Sequence, residues 1–349
     1  MRKIYPILSI ILIFMLSGCN NNQPSSPIAT DNPSSSTVNA SNIEISVEKI
    51  DNSNISENSY IEEKSNVEKR IICWGTSLTE GTGGDGVSMP GTLEELSGAT
   101  VLNYGGYAER TNCIASRSGA SKLILTDNIT VPSSSDIPIE INFYSEFGDC
   151  SRLLLYTDSG LNPVTIDGIV GNLSRVDDEN YNRYFYFTRL NSGEEKQISA
   201  ETTIIPYSAN DIRDDDICIF ESGGNDELQS TDDILALIDK IDKMIAFSGS
   251  DKYLVVSELN SHERVPVTDE VNSMFEDHYK EHFINFRKYL IEEAFSDLDI
   301  SPSDEDKEDI NNYEIPRYFR VDDVHGNSLY YTLFGQQVYK KCQELGYLE

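Results

Sequence analysis

One serine in this sequence is placed where it could act as a nucleophile. Ser77 follows Gly75 and Thr76 directly after the apolar run at 70–74. A tight turn from a strand into a helix can present a serine hydroxyl above the carboxyl edge of a parallel sheet, where ligands bind in open α/β folds. A serine hydroxyl is a weak nucleophile, so it needs a base within hydrogen-bond reach and a third group that orients the base.

His325 is the candidate base among four histidines. Asp322 precedes it by three residues, a spacing at which the carboxylate can fold back onto the imidazole Nδ1 and leave Nε2 facing a serine. His278 and His282 are four residues apart in a predicted helix, but the residues between them do not give the HExxH pattern of zinc enzymes, so we expect no metal site. His262 is expected in a solvated loop.

Two glycine-rich segments are candidates for stabilising an oxyanion. Asn225 follows two glycines after the apolar run at 216–221, and its side-chain amide can donate a hydrogen bond. A second segment, which includes Ala108, follows the run at 100–104 and offers backbone N–H groups. Because both segments follow candidate strands, we expect them at the same sheet edge as Ser77.

The order of these blocks resembles the SGNH/GDSL hydrolase superfamily. The four blocks are Gly-Thr-Ser-Leu around Ser77, Asn-Tyr-Gly-Gly-Tyr-Ala-Glu ending at Glu109, Gly-Asn-Asp around Asn225, and Asp-Asp-Val-His ending at His325. The resemblance implies an α/β fold of the flavodoxin-like, three-layer α/β/α type with a central parallel sheet.

The resemblance also implies a role for each candidate residue. Ser77 would be the nucleophile, His325 the base and Asp322 its orienter, while Asn225 and the backbone N–H groups of Ser77 and Ala108 would form the oxyanion hole. The implied activity is hydrolysis of carboxylic esters through an acyl-enzyme, without a cofactor. An exported, tethered esterase is expected to remove acetyl or other short acyl groups from a small-molecule or polysaccharide carbohydrate. Lipid and aryl esters are equally compatible with the motifs.

Two residues depart from the family pattern. Thr76 occupies the position where the family usually has an aspartate, which is not a member of the triad. Ala108 occupies the position of a glycine that donates its backbone N–H. Alanine keeps that N–H, but its methyl group would cost about 1 kcal/mol if the position needs a positive φ.

Three other functions are compatible with parts of the sequence. A noncatalytic glycan-binding surface lipoprotein would use the β-rich segment for binding and the α/β part as scaffold. An acyltransferase would use the same triad. The glycine pattern at 81–86 matches the GxGxxG of dinucleotide-binding oxidoreductases, but a single such motif is a weak signal.

The elements that must position these residues alternate between strand and helix. Apolar runs predict strands at 70–74, 100–104, 216–221 and 252–258, and helical periodicity predicts helices at 232–247, 272–294 and 329–345. This alternation is typical of a parallel sheet flanked by helices. The two parts of this hydrolase domain are expected at 68–120 and 208–349.

The intervening segment, 121–207, has a different pattern. Strand-like runs occur at 122–131, 138–144, 152–156, 164–170 and 184–190, with turn residues between them. We predict an inserted β-rich domain.

The N-terminus predicts export and anchoring. Arg2 and Lys3 precede an apolar stretch at 4–15, and Leu-Ser-Gly-Cys ends at Cys19. This resembles a bacterial lipobox, which implies a lipoprotein signal peptide at 1–18 and a lipid attached to Cys19. The polar segment 19–67 is predicted to be a disordered tether. The protein is therefore expected outside the cytoplasm, lipid-anchored to the bacterial cell membrane.

Charge and cysteines limit the partners and the covalent framework. The chain has 59 acidic and 27 basic residues and a net charge of −32, so nucleic acid is not an expected partner. Besides Cys19 there are five cysteines, none in a CxxC pair. The apolar neighbours of Cys73 and Cys218 favour buried thiols over a disulfide framework, with a single bridge left open.

Overall fold

A computed structural model of the protein describes residues 69–259 and 265–348, apart from the side chain of Val265. The predicted signal peptide, Cys19, the predicted tether and His262 lie outside these residues. Within the described part, no helix combines the length and apolarity that a membrane span requires.

The strands and helices have the following bounds. The strands are β1 (Arg70–Gly75), β2 (Thr100–Gly105), β3 (Leu123–Leu125), β4 (Ile129–Val131), β5 (Ile139–Ile141), β6 (Phe143–Ser145), β7 (Val164–Ile166), β8 (Ile169–Asp177), β9 (Arg183–Arg189), β10 (Lys196–Ile198), β11 (Thr203–Ile205), β12 (Ile217–Phe220), β13 (Tyr253–Val256) and β14 (Phe283–Ile284). The α-helices are α1 (Ser77–Glu80), α2 (Met89–Ser97), α3 (Thr111–Ser118), α4 (Tyr207–Asp211), α5 (Thr231–Ser248), α6 (Val265–Tyr279), α7 (Phe286–Glu292), α8 (Ala294–Asp297), α9 (Asp304–Asn311) and α10 (Ser328–Glu344). Short 3₁₀ helices lie at Lys280–His282 and Arg317–Phe319.

Five strands form a parallel sheet in the order β14-β13-β12-β1-β2. Strand β1, which lies between β12 and β2, is buried along its whole length. Strands covered on both faces are continuously apolar, which is the pattern that identified 70–74 and 216–221. The prediction of an α/β fold with a parallel sheet is confirmed.

Alternate residues of β1 enter two separate cores, because side chains along a strand point to opposite faces. Ile71 and Cys73 pack in a cluster with residues of α2, α7 and α10. Ile72 and Trp74 pack in a second cluster with residues of α3, α5 and α6. Helices on both faces therefore fix the position of the carboxyl end of β1, where the chain turns into α1.

The strands between Leu123 and Ile205 form two antiparallel sheets, one of seven strands and one of two. Seven strands follow the order β5-β9-β8-β7-β11-β3-β6, and β4 pairs with β10. Their core contains Phe187, Ile204 and other apolar residues, together with Cys113 of α3. The β-rich segment thus packs directly against a helix of the parallel-sheet region.

Several predicted elements are wrong in type or in extent. The strands predicted at 122–131, 138–144 and 164–170 each cover all or part of two strands. Residues 152–156, predicted as a strand, form turns. The helix predicted at 272–294 ends at Tyr279, and β14 then adds an edge strand beside β13. Lys280 adopts a positive φ of 52°, which ends the helix, while the apolar Phe283 and Ile284 mimic a continuing helical stripe. Hydrophobic periodicity cannot separate such a short buried strand from a helix.

The cysteines that the structure describes carry free thiols. Cys73 and Cys218 are buried within the two sheet cores, as predicted. Cys150 is half-buried, with its Sγ 3.1 Å from Ser116 Oγ. The single bridge left open by the sequence is not formed among these residues.

The end of β2 packs so closely on α1 that Gly105 has no room for a side chain. A Cβ atom there would lie 2.5 Å from Glu80 Cα, a backbone atom that cannot move aside. We expect Gly105→Ala to lower the free energy of unfolding by about 3 kcal/mol, the upper end for overpacking. Urea denaturation measures this loss.

Gly86→Ala is the matched control. Gly86 has a φ of +90° but nothing within 4 Å of an added Cβ, so only backbone strain opposes the substitution. We expect a loss of about 1 kcal/mol. Equal losses in the two variants would contradict the close packing of α1 on β2.

Candidate active site

Ser77 is the first residue of α1, a one-turn helix at the carboxyl end of β1. Thr76 is the N-cap of α1, and its side-chain oxygen accepts a hydrogen bond from the backbone N–H of Leu78 at 3.2 Å. Gly81 ends the helix in the left-handed conformation with a φ of 99°. Ser77 exposes only 4% of its surface, so a reacting group has a narrow approach to it.

A hydrogen-bonded chain links Ser77 to His325 and Asp322. His325 Nε2 lies 3.1 Å from Ser77 Oγ, and His325 Nδ1 lies 2.9 Å from Asp322 Oδ2. The other oxygen, Asp322 Oδ1, accepts backbone N–H groups of Val324 and His325, each at 2.7 Å. The carboxylate therefore holds both the loop and the imidazole ring. A proton on Nδ1 leaves Nε2 free to accept the serine proton.

The electrostatic state of Asp322 suits this role. Burial by itself raises the pKa of the Asp322 carboxyl, but the hydrogen bonds from His325 and Val324 outweigh burial and lower the pKa below its ordinary value. The carboxylate thus stays ionised at neutral pH. An ionised carboxylate at this position stabilises the imidazolium that forms when His325 takes a proton.

The loop that carries His325 is packed against the glycine-rich segment 81–86. Val321 N donates to His325 O at 2.9 Å, which closes the loop. A Cβ at Gly83 would lie 2.8 Å from Gly326 O and 3.2 Å from His325 Cβ, and Gly83 has a φ of +87°. Close packing beneath the histidine therefore accounts for Gly83 within the GxGxxG pattern.

Ala108 lies in a turn that starts directly beside Ser77. The turn begins where Gly106 N donates to Gly75 O at 3.0 Å. Ala108 adopts a φ of 57°, the conformation in which its methyl group costs about 1 kcal/mol relative to glycine. Its carbonyl accepts a hydrogen bond from Arg152 of the β-rich segment. Ala108 is thus held in a backbone conformation that favours glycine.

Asn225 lies against the same turn. Its side-chain Nδ2 donates to Glu109 O at 2.9 Å, and an amide nitrogen has two hydrogens, so one remains for another acceptor. The next residue, Asp226, accepts from Thr111 N at 3.1 Å and from Thr111 Oγ1 at 2.8 Å at the start of α3. The structure therefore brings Asn225 and Ala108 to one turn beside the Ser77–His325–Asp322 chain.

A buried glutamate supports the turn beneath Ser77. Glu221 Oε2 accepts hydrogen bonds from Thr76 N at 2.8 Å, from Thr76 Oγ1 at 2.8 Å and from Thr79 Oγ1 at 3.1 Å. Burial raises the pKa of Glu221, and the hydrogen bonds from Thr76 and Thr79 oppose that rise. Thr76 is therefore suited to its position: its hydroxyl donates to Glu221 and also caps α1. An aspartate there would place a second carboxylate against Glu221.

A second buried acid pairs with arginine behind the turn. Arg117 Nε donates to Glu109 Oε2 at 2.7 Å, and Arg117 is fully buried. Its other nitrogens donate to Tyr104 O and to Ser159 O, and its guanidinium lies 5.7 Å from the centroid of the Trp74 ring. This one side chain connects the ends of β1 and β2 with the β-rich segment.

Sequence analysis missed several residues that build the site. Glu221 was interpreted only as the end of a strand, although an acidic residue ending an apolar run is itself a signal. Tyr107 stacks on the His325 ring at 5.9 Å between centroids, with 18° between the planes. Tyr156 meets Tyr107 edge-on at 5.0 Å and belongs to the segment wrongly predicted as a strand.

The other described histidines have separate surroundings. His278 Nε2 lies 2.9 Å from Asp242 Oδ2. His282 Nδ1 lies 3.1 Å from Tyr253 O and 3.0 Å from the Tyr347 hydroxyl. In residues 69–259 and 265–348, no group of three or more His, Cys, Asp or Glu side chains is arranged to hold a metal ion.

A hydroxyl, an imidazole and a carboxylate in one hydrogen-bonded chain can perform nucleophilic acyl transfer. An amide side chain and backbone N–H groups lie in the turn beside them, and groups of these types can stabilise negative charge. Comparison of the chain with models of known protein families, with curated proteins and with solved structures finds no match. The geometry of the site is therefore what bears on function.

The contact between Thr76 and Glu221 can be tested through stability. We expect Thr76→Asp to lower the free energy of unfolding by about 3 kcal/mol, because it adds an unpaired charge to a buried carboxylate. Thr76→Ser keeps the hydroxyl and should change stability by less than about 1 kcal/mol. Urea denaturation of each variant gives these values.

A double-mutant cycle isolates the repulsion. In a Glu221→Gln background the second charge is absent, so the cost of Thr76→Asp should fall to about 1 kcal/mol. If the two substitutions are additive, the carboxylates do not interact and Glu221 does not explain Thr76.

Proposed function

We propose that the protein is a serine esterase that hydrolyses carboxylic esters through an acyl-enzyme on Ser77. The observation that carries this proposal is the chain from Ser77 Oγ to His325 Nε2 at 3.1 Å and from His325 Nδ1 to Asp322 Oδ2 at 2.9 Å. Nucleophile, base and orienting group are recognised by such geometry and roles, whatever the order of the residues.

We further infer that the chain is an SGNH/GDSL hydrolase with a flavodoxin-like, three-layer α/β/α fold. Numbered along the chain, the five parallel strands follow the order 2-1-3-4-5, which is the order of flavodoxin-like sheets. Helices pack on both faces of this sheet. The proposed active site lies at the carboxyl end of its first strand, beside the point where the strand order reverses.

The first half of the proposed reaction forms the acyl-enzyme. Ser77 Oγ attacks the ester carbonyl carbon while His325 Nε2 accepts the hydroxyl proton. The tetrahedral oxyanion is stabilised by the free hydrogen of Asn225 Nδ2 and by the backbone N–H groups of Ser77 and Ala108. Ser77 is the first residue of α1, so its N–H has no partner within the helix. His325 then protonates the departing alcohol oxygen, and the C–O bond breaks.

The second half releases the acid. Water attacks the acyl carbon as His325 Nε2 takes one of its protons. The second tetrahedral intermediate then collapses: the bond from the acyl carbon to Ser77 Oγ breaks, His325 returns the proton to Oγ, and the carboxylic acid leaves. An alcohol in place of water would give acyl transfer through the same steps. Asp322 stabilises the imidazolium in both halves.

We also propose that the protein acts outside the cytoplasm, held to the bacterial membrane by a lipid on Cys19. Support comes from the basic, apolar and Leu-Ser-Gly-Cys sequence of residues 1–19 and from the polar composition of 19–67. Soluble or cell-wall esters would then be within reach of the site.

Covalent labelling and paired substitutions test the mechanism. A fluorophosphonate should modify Ser77, as detected by peptide mass spectrometry. Ser77→Ala and His325→Ala should each reduce ethyl acetate hydrolysis to near background, and the double variant should lose little more, because nucleophile and base act as one unit.

His278→Ala provides the matched control, since His278 is bonded to Asp242 and has no role in the proposed reaction. It should retain normal turnover. A folded Ser77→Ala variant that keeps most of the activity would refute the serine-esterase proposal.

The proposed oxyanion hole predicts a smaller, selective loss. Asn225→Ala leaves Ser77 and His325 in place and removes one donor, so kcat should fall by roughly 10²–10³ while KM changes much less. Steady-state kinetics with ethyl acetate measure both constants, and thermal unfolding shows whether the lost bond to Glu109 disturbs the fold. An unchanged kcat would remove Asn225 from the mechanism.

A further inference from the structure

Two tyrosines continue the site outward from His325. Tyr107 lies over one face of the imidazole at 5.9 Å, and Tyr156 contacts Tyr107 edge-on at 5.0 Å and 84°. Tyr107 is 38% exposed and Tyr156 is 60% exposed, whereas Ser77 is almost buried. The buried nucleophile is therefore bordered by an open aromatic surface, which we call the tyrosine pair.

Tyr156 is held in place although its segment contains neither strand nor helix. Arg152 donates to Ala108 O on one side of it, and Ser159 O accepts from buried Arg117 on the other. Gly160 then packs on the Trp74 ring, since a Cβ there would lie 2.8 Å from it. Binding to a ring that is already held in place costs less conformational entropy than binding that must first order a mobile loop.

The chemistry of the tyrosine pair favours a ligand with both apolar and polar edges. Among the residues that the structure describes, neither Tyr107 nor Tyr156 donates its hydroxyl to a partner. Each ring thus offers an apolar face together with a free hydroxyl. This combination suits a binding surface that is apolar on one side and in contact with water on the other. A pyranose ring presents C–H groups on its faces and hydroxyls around its rim, so it matches both features.

The charge around the site disfavours an anionic ligand. Asp322 belongs to the site, Asp323 on the same loop is 82% exposed, and the whole chain carries a net charge of −32. Such a field lowers the local concentration of anions, which disfavours uronates and phosphorylated esters.

We propose that the tyrosine pair is the subsite for the neutral pyranose ring that carries the ester. This proposal rests on the serine-esterase proposal above and defines the alcohol part of the substrate. The substrate is an acylated neutral sugar. Its acyl carbon reaches Ser77 while its ring lies against Tyr107 and Tyr156. Because Tyr156 comes from the β-rich segment, that segment contributes a specificity-determining residue.

Kinetics on two esters test the subsite. In Tyr156→Ala, KM for an acetylated xylo-oligosaccharide should rise about tenfold, the effect of one lost stacking contact, with kcat within twofold of the unsubstituted protein. Ethyl acetate lacks a ring, so its kcat/KM should fall by a much smaller factor than that of the oligosaccharide. Tyr156→Phe keeps the ring and should retain most of the affinity. Acetylated gluco- and manno-oligosaccharides repeat the measurement with other neutral pyranoses.

Tyr181→Ala is the matched control. Tyr181 belongs to the same β-rich segment and is 89% exposed, but it lies in the turn between β8 and β9. It should leave both KM values unchanged. An equal rise of KM in Tyr181→Ala and Tyr156→Ala would overturn the subsite.

Binding to an inactive chain separates this proposal from the proposed reaction. By calorimetry, Ser77→Ala should bind the acetylated xylo-oligosaccharide, and adding Tyr156→Ala should weaken binding about tenfold. If ethyl acetate is hydrolysed but Tyr156→Ala changes neither Kd nor KM for any of these sugars, the subsite is wrong and the esterase stands. If the sugar binds through Tyr156 but no ester is hydrolysed, the subsite stands and the esterase is wrong. A Tyr156→Ala effect confined to long-chain esters would identify a lipid surface and overturn the sugar subsite.

Discussion

The buried ion pair between Arg117 and Glu109 is the interaction on which the candidate site depends. The guanidinium is fully buried, and every carbonyl it contacts belongs to a different part of the chain: Tyr104 at the end of β2 and Ser159 in the β-rich segment. Glu109 in turn receives Asn225 through its backbone carbonyl. Removing one member of such a pair costs about 3–5 kcal/mol, because the other charge is left buried without compensation. The geometry of the turn that holds Ala108 and Asn225 therefore depends on a contact that includes the β-rich segment.

Two carboxylates at the site respond to pH in opposite directions. The pKa of Glu221 is raised by burial, so the native state binds its proton more tightly than the unfolded chain does. Its contribution to stability is complete at low pH and is lost as the pH rises through the native pKa. The pKa of Asp322 is lowered, so its contribution is present above its ordinary pKa of 3.8 and is lost as the pH falls. Glu221, beneath Ser77, therefore contributes most to stability at low pH, whereas Asp322, behind His325, contributes most at higher pH.

Local sequence was sufficient where the signal was local. Asp322 and His325 are three residues apart, and β1 and β12 are continuous apolar runs, so their chemistry and placement followed from short-range patterns. The role of Glu221 depends on contacts with Thr76 and Thr79 more than a hundred residues away, and no periodicity records such a contact. Tyr156 lies in a segment whose short apolar run resembles a strand, while its position is set by Arg152 and Arg117. β14 was missed because two residues are too few to show a period.

The position of the candidate base in the chain has a consequence for biosynthesis. Ser77 lies near the start of the described region and His325 near its end, 248 residues later. The loop of His325 is followed at once by α10, which Asn327 caps by accepting from Tyr330 N at 3.0 Å. A nascent chain in which His325 is still inside the ribosome therefore has a serine without its histidine. The hydroxyl acquires its hydrogen-bond partner only after the segment that carries His325 has left the ribosome and folded.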